Sequence, residues 1–230
     1  MIGSVIIHHR SPTCESRNGL CPSWIWHHIG DYMSPLWRHV ELTVVAVVVG
    51  FVIAFGLALV AHRRRWLITP ITGVTGVLFT IPSLALFAVL VTSPLGFGFV
   101  SGVIPLILYT LQIIFRNVVT GLAGVPEETR DAARGMGMTD RQLLWRVEVP
   151  LALPEIVAGV RIATVTTVAL ATLAFFAGAG GLGDKINTDI DFKSNIAVAG
   201  ALAVLLAIAL DLLLLGMERT LAPWRRARAT

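Results

Sequence analysis

Five stretches of this chain are each long and apolar enough to cross a lipid bilayer, and nothing else in the sequence narrows the fold as much. A membrane-spanning helix needs about 20 apolar residues. Runs of that length extend from Leu42 to Ala61, Gly73 to Thr92, Phe99 to Val119, Ile156 to Ala177 and Ile196 to Met217. They predict an all-α integral membrane protein of about five transmembrane helices, multi-pass in the cell membrane. Hydrophobic residues make up 55% of the chain and charged residues 14%, far below the roughly one-quarter charged share of soluble domains. The 230 residues leave room for the spans and their loops but not for an added soluble enzyme domain. The net charge of +4 suits basic residues at the cytoplasmic ends of helices better than a nucleic-acid surface. Pro82 and Pro105 fall inside the second and third runs, where neighbouring helices can re-satisfy the freed carbonyls. The stretch from Trp66 to Thr72 reads as an interfacial approach to the second span.

The positive residues set the direction of threading. With the N-terminus outside, thirteen of the eighteen Lys and Arg residues fall on the cytoplasmic side, the Arg63–Arg65 triplet directly after the first run being the strongest anchor. This favours N-terminus outside and C-terminus inside. The apolar run Ile2 to Ile7 is too short for a cleavable signal peptide, so the first span would also serve as the targeting signal. The expected organisation is an external segment 1–38, a transmembrane domain 39–220 and a basic cytoplasmic tail 221–230.

The longest interior connection, residues 120–155, mixes acids with arginines. Pro126 suits a first helical turn, and Glu127 and Glu128 suit the positive end of a helix dipole. Gly135 and Gly137 interrupt that helix, Thr139 can cap a second, and Pro150 and Pro154 are expected to end it. A helix–turn–helix of this kind is more than two spans need to be joined. It reads as a docking surface.

Within it, Asp131-Ala132-Ala133-Arg134-Gly135-Met136-Gly137, followed by Val147 and Pro150, resembles the EAA loop of binding-protein-dependent ABC permeases. Asp131 stands where that family usually carries glutamate, keeping the charge on a shorter arm. Small residues at 132 and 133 suit close seating in a groove, and Gly137 suits a sharp turn. The resemblance implies the type I importer (MetI-like) permease fold, with this loop coupling an ATPase subunit to the membrane helices. The stretches His62-Arg63-Arg64-Arg65-Trp66, Thr80-Ile81-Pro82-Ser83-Leu84-Ala85, Phe115-Arg116-Asn117, Gly159-Val160-Arg161 and Phe175 to Gly183 are similar to the glycine betaine/carnitine/choline branch. The partners implied are an ATP-binding cassette dimer carrying ATP and Mg, a second permease subunit (identical or homologous), and an extracytoplasmic substrate-binding protein. No cofactor would be bound by this chain, and it would be a non-catalytic subunit. A methionine or other amino-acid importer is the alternative within the class. An ion-driven secondary transporter is the alternative outside it, and it leaves the loop unexplained.

Other patterns carry less. The GxGxxG run Gly178 to Gly183 ends a span and has no strand before it, so it is not a dinucleotide fingerprint. No GxxxxGK[ST] is present, so ATP hydrolysis falls to a partner. His8, His9, His27, His28, Cys14 and Cys21 match no zinc spacing, while an oxidising exterior permits a Cys14–Cys21 disulfide. Trp24, Trp26, Tyr32 and Trp37 suit an interfacial belt better than an aromatic cage. Arg161 and Asp211 stand inside apolar runs at comparable depth. Charges there normally pair or line a cavity, and Asp211 is too short to snorkel, so a structural or gating ion pair between the two is expected.

Overall fold

The computed structural model describes Cys14 and residues 19–221. The expectations resting on His8, His9, Arg10, Arg17 and residues 222–230 of the basic tail lie outside the described residues. Among those described no strand forms. The helices are α1 (Pro22–His28), α2 (Met33–Arg63), α3 (Ile68–Thr80), α4 (Ser83–Thr92), α5 (Phe99–Ala123), α6 (Glu127–Gly135), α7 (Asp140–Leu143), α8 (Val149–Ala171), α9 (Leu182–Thr188) and α10 (Lys193–Leu221). Short 3-10 turns occupy Ile29–Tyr32, Arg65–Leu67 and Ala174–Ala177.

The core is three long helices, with α5 packed between α2 and α8, and α10 laid on α8. Ala46, Gly50, Ala54 and Ala58 repeat every fourth residue of α2 and are all buried. Such a stripe of small residues lets two helix backbones approach closely. A Cβ at Gly50 would lie 1.8 Å from Thr110 Oγ1 of α5, so the approach leaves room for nothing larger. One core layer joins Ala54, Ala58, Phe115, Val118 and Ile156; the other joins Leu42, Ala46, Phe87, Leu106 and Ala174.

Three expectations need correction. The run Gly73 to Thr92 is not one straight helix: α3 and α4 meet at a bend of 86°. Among the described residues, four helices are therefore long and apolar enough to span a membrane, or five counting the bent pair as one span. The break sits at Ile81 and Pro82, both extended, where proline brings no N–H to continue the ladder. The Tyr109 hydroxyl of α5 donates to the Ile81 carbonyl, so the gap is filled from a neighbour. Pro105 and Pro154, in contrast, stay inside α5 and α8.

Pro150 and Pro154 also do not end the second loop helix. From Leu144 to Glu148 the chain makes a π turn and then runs straight into α8. The wider turn shifts the hydrogen-bond register just where Pro150 has no N–H to give. The first helix, finally, begins at Met33, well before the apolar run at Leu42.

The N-terminal region is clasped onto the start of α10. Cys14 and Cys21 form a disulfide. The Cys21 N–H donates to Ser194 Oγ at 2.9 Å, and Ser194 Oγ donates to the Gly19 carbonyl at 3.0 Å. The four aromatic residues do not converge on a cage. Tyr32 is 2% exposed and donates to Asn195, whereas Trp26 and Trp37 are 81% and 72% exposed.

Candidate functional site

The segment with the most elaborate polar construction is the α6–α7 hairpin, at the same end of the core as the last turn of α2. Glu127 and Glu128 occupy the first turn of α6 and Arg134 its last, the arrangement a helix dipole favours. The helix ends in a Schellman motif. The Gly137 N–H donates to the Arg134 carbonyl at 2.9 Å and the Met138 N–H to the Ala133 carbonyl at 3.2 Å. Gly137 takes a φ of +80°, a conformation a β-branched side chain resists. Thr139 and Gln142 then close a capping box that starts α7, which satisfies two otherwise orphaned amides.

On α6 the loop residues divide by face. Ala133 is buried, whereas Asp131, Ala132, Gly135, Met136 and Gly137 are exposed. Asp131 Oδ1 accepts a long contact from Arg134 Nη1 at 3.3 Å, so its charge remains at the surface. Val147 lies in the π turn and Pro150 in the first turn of α8, both half-buried. They continue the hairpin into the membrane helix rather than sharing its exposed tip.

One feature escaped sequence reasoning. Arg130 turns inward, and its side chain is 8% exposed beside Glu148 at 6%. Arg130 Nε donates to Glu148 Oε1 at 2.8 Å, Nη1 to Glu127 Oε2 at 2.8 Å, and Nη2 to the Leu122 carbonyl at 2.7 Å. His62 Nε2 donates to Glu148 Oε2 at 2.9 Å. Burial alone would push the Arg130 guanidinium down, but its bonds to Glu127 and Glu148 outweigh this and hold it above its ordinary value. The Arg130 hydrogen bond keeps the exposed Glu127 carboxyl below the usual carboxylate range, with Arg134 adding to the effect. The one sequence signal was the i, i+3 spacing of Glu127 and Arg130. Together these side chains and Arg63, Arg65 and Arg141 border an open cleft of about 740 Å³.

Arg161 and Asp211 are brought together between α8 and α10. Arg161 Nε and Nη2 each donate to one Asp211 carboxylate oxygen at 2.8 Å, a two-point fork. Glu218 Oε2 lies 3.7 Å from Arg161 Nη1.

The glycine run follows a 3-10 turn, not a strand. Gly178, Gly180 and Gly181 have φ of +68°, +78° and +94°. Its tight path is locked by buried His39. The Leu182 N–H donates to His39 Nδ1 at 3.3 Å, so Nε2 holds the ring proton and donates to the Val168 carbonyl at 3.0 Å.

Comparison with known proteins agrees with this geometry. The family model described as binding-protein-dependent transport system inner membrane component matches residues 46–227. The choline transport system permease protein OpuBB of Bacillus subtilis is 35% identical over 207 residues, spanning 86% of this chain and 95% of its own. The osmoprotectant import permease protein OsmW of Salmonella typhimurium is 39% identical over 202 residues, spanning 84% of this chain and 93% of its own. Among solved structures, the inward-facing MetNI methionine ABC transporter in its CY5 native crystal form superposes with a TM-score of 0.70 at 22% identity. That match covers 88% of this chain and 98% of the other, and at this identity it speaks for the fold alone.

Proposed function

Because the chain belongs to the family of binding-protein-dependent transport system inner membrane components, we propose that it is the pore-forming subunit of an ATP-driven importer for a compact quaternary-ammonium osmoprotectant such as glycine betaine, choline or carnitine. The observation that carries this reading is the α6–α7 hairpin. It is a capped, charge-anchored element at the arginine-rich end of the core, in a chain whose relatives are named as choline and osmoprotectant permeases.

In this reading α1 and the disulfide face outside, and the hairpin and the Arg63–Arg65 triplet face the cytoplasm. Two permease subunits, identical or homologous, enclose the pathway. An ATPase dimer binding ATP and Mg seats on the exposed face of α6 around Asp131, Ala132 and Met136. An external binding protein supplies high-affinity recognition. Differential binding of ATP to two states of the assembly biases the pathway between inward and outward access. The chain itself binds no cofactor and carries out no chemistry.

The test is uptake into proteoliposomes holding this chain, its ATPase and its binding protein. Choline or glycine betaine should accumulate only with ATP on the ATPase side, and the chain alone should give none. Methionine uptake that glycine betaine does not inhibit would overturn the cargo but leave the importer. Uptake by the isolated chain under an ion gradient would overturn both.

A further inference from the structure

We propose that Arg130, gripped by Glu148, which His62 holds in turn, is the joint through which movement of α6 reaches the membrane helices, and so is a positioning residue for coupling rather than a contact of the ATPase. This rests on the proposed seating of an ATPase on α6.

An arginine on a short surface helix would ordinarily point to solvent, as Arg134 does with half its side chain exposed. Arg130 does the reverse. Its three donor positions are spread over three elements: Nη1 on Glu127 of its own helix, Nη2 on the last turn of α5, and Nε on the junction of the π turn with α8. The second oxygen of that Glu148 carboxylate is taken by His62, in the last turn of α2. The end of α5 and the start of α8 therefore meet at one guanidinium carried by α6, and the end of α2 joins them through the Glu148 carboxylate.

Little else ties α6 inward. Ala133 is its only other buried residue. Charge-assisted bonds from a planar fork are short and directional, and burial strengthens them. A displacement of α6 must then either carry the three helix ends with it or break those bonds. The adjacent π turn from Leu144 to Glu148 is a register change of the kind that gathers at functional sites. It places Glu148 on the buried side together with Leu143 and Leu144.

A merely structural Arg130 would affect stability and leave the number of solute molecules moved per ATP unchanged. The experiment measures that ratio, with choline as the probe, in liposomes carrying the whole transporter. Arg130→Met is expected to keep the ATPase bound and hydrolysing while importing at least about tenfold less choline per ATP, the factor one charge-assisted bond carries. Arg130→Lys keeps the charge but cannot span the three acceptors, and it should fall between Arg130→Met and the wild type. Should Arg130→Met fail to insert, the lysine variant decides by the same ratio. A wild-type ratio in the variant overturns the joint, and loss of the ATPase on purification overturns it too, by making Arg130 part of the seat. If the wild-type transporter imports no choline with ATP, the cargo reading alone fails, and the same ratio taken with the solute it does import decides the joint. A normal wild type beside an unchanged variant ratio fails the joint alone.

Discussion

Arg161→Ala should cost about 3 kcal/mol of stability, the penalty for a lone carboxylate inside a membrane helix, the two side chains of the fork being part-buried at 25% and 30% exposed. Asp211 would be left in an apolar helix flanked by Leu210, Leu212 and Leu213. A carboxylate there cannot reach the headgroups, because its side chain is too short to snorkel. Asp211→Ala should cost less, since Glu218 stands 3.7 Å from Arg161 and can take up part of the charge. The double alanine variant should recover part of the loss, because it buries neither charge alone. Thermal unfolding of the four proteins in one detergent forms a double-mutant cycle. Simple additivity of the two single losses would mean that the fork seen at 2.8 Å carries no coupling.

Gly183→Ala should be comparably damaging, for a reason unrelated to charge. A Cβ there would lie 1.8 Å from the Thr172 carbonyl oxygen and 2.6 Å from its carbon. Both are backbone atoms at the end of α8, and no rotamer change removes them. The start of α9 would have to lift away, dragging Leu182 from its fully buried place and from its bond to His39. A cost of about 3 kcal/mol, at the upper end of overpacking penalties, is expected. Gly200, inside α10 two turns from its start, is the control, since nothing lies within 4 Å of its Cβ position. Gly200→Ala should be neutral or stabilising by up to about 1 kcal/mol from helix propensity. Equal unfolding temperatures for the two variants would refute the close packing of the glycine run.

What the sequence disclosed follows from which forces are local. Apolar runs of the required length leave no soluble alternative, so the long helices were readable from composition along the chain. The hairpin was readable from Pro126, Gly137 and Thr139, whose backbone preferences act within a few residues. Arg161 and Asp211 could be joined across 50 residues because lipid makes a lone charge so costly. The break at Pro82 was not readable, since Pro105 and Pro154 sit in similar apolar surroundings and leave their helices intact. What distinguishes it is Tyr109, reaching from another helix to the Ile81 carbonyl. Arg130 was hidden for the same reason: its burial is decided by Glu148, in the π turn ahead of α8, and by His62 of α2, which holds Glu148, and both arrive only once the core is assembled. The four-residue repeat of small residues on α2 was present in the sequence and would have identified the face that meets α5.

Site-specific photo-crosslinking in membranes carrying the whole transporter shows whether an ATPase seats on the α6–α7 turn. A crosslinker at Met136, 72% exposed on that turn, should capture the ATPase subunit. One at Trp26, 81% exposed but beyond the opposite end of α2, should not. Capture of the ATPase from position 26 and not from position 136 would contradict the account.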